Sequence, residues 1–298
     1  MRRNLVLIGI AAILAALALQ GCSNSGRVAA PNEPEPPSLP SVNTMKADVS
    51  LFESAQVDAQ SVRLGRLVEP ALSAQAYTKL NFLNAAVRVL FLDVVVYAAL
   101  AQPTAAFATA IHSVPQRQDD GSWLWTYIYV GNGSIEYSVF LRGKQMDSYV
   151  AWSMEVSSTD PAMPLDHFLW FDGQVQSDER AGYWQFYEPV VGSAAAAASI
   201  GALETSGTAC IRIDWENHSR VERRLAFLVN KPDAPEEGST LVFDETLEAA
   251  SIEFYDATNG NTGTIIWHRD GSGSIEWPDY NGGVKGCWDV WQRDVVCP

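Results

Sequence analysis

Trp123-Leu124-Trp125-Thr126-Tyr127-Ile128-Tyr129-Val130 is the stretch that decides the fold. Trp123, Trp125, Tyr127 and Tyr129 alternate with Leu124, Ile128 and Val130, a period of two that puts rings on one face of a strand and aliphatic groups on the other. Both faces are apolar, which predicts that both are covered. Gly131-Asn132-Gly133 supplies the turn, and the same period continues to the end of the chain. Segments 134–142, 149–157, 167–171, 182–187, 209–216, 225–230, 240–244, 251–256, 264–268 and 274–277 read as strands, with Asn259-Gly260-Asn261 and Asp270-Gly271-Ser272-Gly273 as hairpin turns. In 209–216, Ala209, Ile211, Ile213 and Trp215 alternate with Cys210, Arg212, Asp214 and Glu216. No strand–helix–strand alternation occurs, so the reading is an up-and-down antiparallel meander of about ten or more strands.

Upstream the pattern is helical. Leu51, Ala55, Val62 and Leu67 recur at helical spacing, and Pro70 suits the first turn of a second helix from Ala71 to Leu100. That helix is apolar nearly all round, through Leu80, Leu83, Val87, Leu90, Phe91, Val94, Val95 and Tyr97. Arg88 and Asp93 in its middle argue against a membrane span and for a helix buried within the protein, because each charge costs about 2.5–3.5 kcal/mol at a bilayer centre. Pro103 is expected to interrupt it, with a further short helix from Thr104 to Ile111. A long meander leaves edges and one bare face, and the helical segment is the only large apolar body available to cover that face. The expected fold is therefore α+β, with N-terminal apolar helices packed against a strongly curved, unclosed, barrel-like sheet.

The first residues carry an address. Met1-Arg2-Arg3-Asn4, an apolar run from Leu5 to Leu19 and then Gln20-Gly21-Cys22 read as a signal peptide. Leu19-Gln20-Gly21-Cys22 resembles the lipobox of bacterial lipoproteins. The resemblance implies cleavage before Cys22, attachment of diacylglycerol to its thiol with further acyl groups such as palmitate, and a body exported beyond the inner membrane. Ser23 in the next position resembles the sorting signal for the outer membrane, so the expected location is the cell envelope, lipid-anchored at the outer membrane, with the body in the periplasm or at the cell surface. Pro31, Pro34, Pro36, Pro37 and Pro40 make the following segment an extended tether. The organisation expected is signal peptide 1–21, lipidated tether 22–45, helical segment 46–115 and β domain 116–298.

Lys and Arg number 20 against 35 Asp and Glu, and loss of Arg2 and Arg3 with the signal makes the mature chain more acidic than the formal −15. Such a balance disfavours nucleic acid and anionic lipid headgroups as partners. In an oxidising compartment Cys287 and Cys297 are the natural disulfide pair, leaving Cys210 as a buried small residue. The four histidines, His112, His167, His218 and His268, fall on separate elements, and no GxSxG, HExxH, P-loop or CxxC occurs. No catalytic residue, metal ligand or cofactor is therefore expected, and the chain reads as non-enzymatic.

Ten tryptophans are the one unusual feature of composition. Cys287-Trp288-Asp289 with Cys297 resembles a group of large bacterial lipoproteins in which a Cys-Trp-Asp stretch and a second Cys close a β meander; no activity comes with that resemblance. The expected topology is also similar to the unclosed barrels of periplasmic lipoprotein carriers, which implies a space between sheet and helices that accepts an acyl chain. Two readings stay open. One is an envelope lipoprotein that binds an apolar ligand, in a cavity lined by Leu90, Val94, Trp125 and Tyr127, or a protein partner. The alternative is a cell-surface glycan binder using Trp277, Tyr280, Trp288 and Trp291, of which at least two tryptophans should stand exposed side by side.

Overall fold

The computed structural model describes residues 34–53, 79–131, 134–160, 164–189, 207–219 and 221–298, apart from the side chains of 91 and 93–99. Signal peptide, Cys22, the segment 54–78 and the alanine run 194–198 lie outside the described residues. Pro36 to Pro298 cluster as one unit.

The period of two becomes fourteen strands. They are β1 (Gln116–Arg117), β2 (Trp123–Val130), β3 (Glu136–Gln145), β4 (Tyr149–Ser158), β5 (Leu165–Gln176), β6 (Ala181–Glu188) and β7 (Thr208–Asn217). The series continues with β8 (Arg223–Val229), β9 (Thr240–Glu245), β10 (Ala249–Asp256), β11 (Asn261–His268), β12 (Gly273–Glu276), β13 (Gly286–Trp288) and β14 (Asp294–Val295). Their order in space is their order in the chain, and the sheet is not closed. Every pairing is antiparallel, as short hairpin connections require.

Helices are few. Among the described residues the expected segment 46–115 contains α1 (Ser50–Glu53) and α2 (Leu80–Thr109), with a 3₁₀ turn on either side. Pro103 does not interrupt α2, which runs through it. Its last turn is held in line from outside, by Phe107 against Trp152, Phe171 and Trp184 and by the Tyr127 hydroxyl donating to Ala106 O at 2.7 Å. This packing offsets the roughly 3 kcal/mol that an internal proline costs.

One face of the sheet carries the core, including Leu141, Trp152, Phe171, Trp184, Ile213, Phe243, Ile265 and Trp288. The helices lie on that face, and the other is open: Ile128 and Val130 are 58 % and 57 % exposed. The expectation that both faces of β2 are covered is thus corrected, because the helical cover exists on the aromatic side alone. The expected burial of Cys210 has its cause in β7. A register shift pairs Phe186 with Ile211 but Tyr187 with Ala209, so Cys210 is an extra residue and turns inward with Ile213 and Trp215.

The tryptophans have a common seat. Trp152, Trp184, Trp215 and Trp288 stand opposite Gly143, Gly173, Gly182 and Gly273 on the neighbouring strand, and Trp277 lies against Gly263. A Cβ on Gly143 would meet Trp152 at 2.8 Å and one on Gly182 would meet Trp215 at 2.9 Å. The missing side chain on one strand is the space into which the ring of the next folds, so half of the ten tryptophans are explained by packing.

Candidate functional site

α2 starts without a capping side chain of its own, since Lys79 stands at its N-cap position. Its exposed N–H groups are satisfied by the far end of the chain. Asp294 on β14 accepts from Leu80 N at 3.0 Å and from Asn81 N at 2.9 Å, a carboxylate placed where the helix dipole favours it. The Asn81 side chain donates to Cys287 O at 2.8 Å and accepts from the Tyr280 hydroxyl at 2.6 Å. Two turns further, Arg88 donates to Asp279 Oδ1 at 2.7 Å and to Asn84 Oδ1 at 3.0 Å, with its guanidinium 5.5 Å from the Trp277 ring and 5.6 Å from that of Tyr280.

The segment that ends in this junction is stiff. Cys287 and Cys297 form the expected disulfide. Within its loop, Asp289 Oδ1 accepts from Trp291 N and Arg293 N, both at 2.9 Å, while Oδ2 accepts from the Arg293 guanidinium at 2.7 Å. These bonds, those from Arg293 first, hold the Asp289 carboxyl below its ordinary range. From this rigid loop Trp291 projects, 67 % exposed, and Val284, Val290, Val295 and Val296 are exposed along the same segment.

The sequence-predicted residues fall into place as follows. Trp288 is buried, edge-on to Phe82, with its indole N–H donating to Gly271 O at 2.9 Å. Trp277 stacks on Phe254, with centroids 6.0 Å apart, and Tyr280 spends its hydroxyl on Asn81. Of the four residues proposed for a glycan, Trp291 alone is exposed, so no pair of tryptophans stands side by side there. Trp125 is buried against Trp152 at 5.6 Å, Tyr127 is tied to Ala106, and Leu90 packs on the core; the Val94 side chain lies outside the described residues. Burial pushes the Tyr127 phenol up. Cys210 is free and buried, its thiol raised to about 11, chiefly by burial. Among the described residues no group of three or more His, Cys, Asp or Glu is placed to hold a metal ion. No helix among them is long and apolar enough to cross a membrane.

Among the depressions formed by the described residues are two. One, of about 760 Å³, lies on β4–β8 between Tyr149, Gln174, Tyr183, Asp214 and Arg224. The Tyr183 ring beside it is stacked by the Arg212 guanidinium at 4.1 Å, and Arg212 is in turn clamped by Asp214 at 2.6 Å. The other, of about 1010 Å³, sits where alternate hairpins meet the segment 41–48 and gathers Arg180, Arg223 and Arg269. Sequence reasoning missed these arginines. The signal was available, because Arg180, Arg223 and Arg269 stand at the β5–β6, β7–β8 and β11–β12 hairpins, and alternate hairpins of a meander share one end of the sheet. No family model matches the chain, and no curated protein or solved structure matches it either.

Proposed function

We propose that this chain is an exported lipoprotein, acylated at Cys22 and anchored in the outer membrane, whose body is a non-enzymatic scaffold that binds a protein partner of the cell envelope. The observation that carries the reading is Trp291, a large ring held out to solvent on a loop already fixed by a disulfide and by the Asp289 bonds. An exposed aromatic on a preorganised loop loses little conformational freedom on binding, and such residues dominate protein interfaces. The sheet supports it: α2 meets β14 at Leu80 and Asn81 and β2 at Ala106. That is about 39 Å of helix, whereas β2 and β14 are about 58 Å apart along the sheet. A helix that short reaches both only if the sheet curls around it, which gives the unclosed, barrel-like scaffold.

A photo-crosslinking residue at 291, introduced in the native host, should yield a discrete protein adduct, and one at the outer-face position Glu253 should not. Equal adducts at both positions, or none at 291, would sink the partner reading. Labelled palmitate should enter the wild-type chain and not Cys22→Ser; label in both would remove the acyl anchor from that position.

An apolar ligand with a polar head is the second reading. Gln102 Oε1, Trp152 Nε1 and Trp215 Nε1 are buried with no hydrogen-bond partner among the described residues, and such groups ordinarily find one. Native mass spectrometry of the full chain in detergent, with a denatured reference, tests it: a mass released on denaturation favours this reading over the first.

A further inference from the structure

We infer that the depression at the alternate-hairpin end of the sheet is an anion site for a phosphate-bearing ligand. Its walls come from four hairpin regions and from the segment 41–48. The β5–β6 turn supplies Arg180, the β7–β8 hairpin His218 and Arg223, the β9–β10 hairpin Glu245, and the β11–β12 turn Arg269, while Lys46 and Asp48 stand on the facing segment. Four Lys or Arg thus line it against two carboxylates, with Asp178 4.0 Å from Arg180 and Glu216 3.6 Å from His218 outside the lining, in a chain whose overall balance is strongly acidic. With screening over about 8 Å at physiological salt, a local excess of this kind decides what binds there, and the remote carboxylates do not.

The arginines are positioned for the task. Glu245 is nearly buried and holds two of them at once, Arg223 Nε at 2.7 Å and Arg269 Nη2 at 2.6 Å. Arg223 also donates through Nη1 to the carbonyls of Asn43 and Lys46, at 3.4 and 3.3 Å, and lies over the Phe243 ring at 5.3 Å. Among the described residues Arg223 Nη2 and Arg269 Nε and Nη1 make no hydrogen bond, and the Arg180 guanidinium has only a 4.0 Å approach to Asp178. Arg223 and Arg269 are therefore fixed in place by one face of the guanidinium with donors left over on another, and the exposed Arg180 side chain stands beside them.

Forks arriving from three separate loops suit a tetrahedral phosphate, which offers oxygens in several directions, better than a planar carboxylate. A site of about 1010 Å³ also has room for more than a bare ion. The recognised chemistry is the phosphate group itself, whether free or on a lipid headgroup.

The test is calorimetric titration of the full chain in neutral detergent at low chloride, with inorganic phosphate, dioctanoyl phosphatidate and, as the phosphate-free control, dioctanoylglycerol. Arg180→Gln combined with Arg269→Gln should weaken binding of phosphate probes by about tenfold or more. Because Arg269→Gln also unpairs one oxygen of Glu245, Arg180→Gln alone is the second variant; the Arg180 side chain is 75 % exposed and its loss should cost about threefold. Phosphatidate and phosphate bound alike would support a free phosphate compound, and phosphatidate at least ten times tighter than phosphate would support a headgroup. Binding of neither, binding of dioctanoylglycerol as tight as phosphatidate, or affinities unchanged in both variants would overturn the site.

Discussion

The two ends of α2 are held by different physics. Over the first three turns, Leu80, Asn81 and Arg88 are fixed by directional bonds to Asp294, Cys287, Tyr280 and Asp279. At the last, Phe107 lies among Trp152, Phe171 and Trp184 with ring centroids 5.8–6.4 Å apart, and a single hydroxyl bond reaches the backbone. The first end adds these directional bonds to rings of its own, Phe82 against Phe52 and Trp288, and so specifies register and direction; the last end rests mainly on apolar packing. Loss of a polar group should therefore cost at the first end, and loss of volume at the second.

The largest effect belongs to the aromatic end. Phe107→Ala should lower unfolding free energy by about 3–5 kcal/mol in denaturant titration, since its contacts cannot close the gap without moving rings on three strands. Opening the disulfide comes next: Cys287→Ser with Cys297→Ser removes a closure spanning ten residues and should cost about 2–3 kcal/mol. Because β14 lies within that loop, combining this change with Asp294→Ala should cost less than the sum of the two, and strict additivity would show that the loop and the helix cap are independent. Gly143→Ala, which displaces the Trp152 ring that Phe107 leans on, should cost about 2 kcal/mol by overpacking. Asp294→Ala alone should cost about 1 kcal/mol, with early loss of amide-exchange protection confined to the first turn of α2.

The smallest effect lies away from both ends. Cys210 should resist maleimide at pH 8 in the folded protein and react at once in denaturant. Its thiol is raised from 9.0 to about 11 in the fold, so the folded state favours the proton. Any stability linked to it is fully present below pH 9 and declines as pH rises toward 11.

How far these features could be read from the sequence follows from the range of the interactions involved. The alternation in Trp123–Val130 is local, and it gave strand positions and the buried aromatic face correctly, because a period of two needs only neighbouring residues. The cover on the aliphatic face was misread, since whether Ile128 and Val130 are covered depends on where a separate helix lies. Cys210 turned inward because a bulge adds one residue, which alternation by itself does not register. The start of α2 was invisible for a stronger reason: Lys79 gives no local cap, and the capping carboxylate is Asp294, more than two hundred residues away. The glycan reading takes Trp288 and Trp291 together as exposed rings, and only Trp291 is one, because the two share local composition and differ in which side of a disulfide-bound loop they occupy.

The strictly sequential strand order has a kinetic consequence. Neighbouring hairpins can form as soon as their residues are present, so most of the sheet has low contact order. The helix is made early, yet its first turn finds acceptors only when Asp294 and Cys287 have been made, more than two hundred residues later. The start of the helix is therefore the last part of this sheet-and-helix unit to be secured. A chain cut short before β14 would keep its hairpins and leave the start of the helix uncapped, so the arrival of β14 and the capping of the helix are registered by the same few bonds.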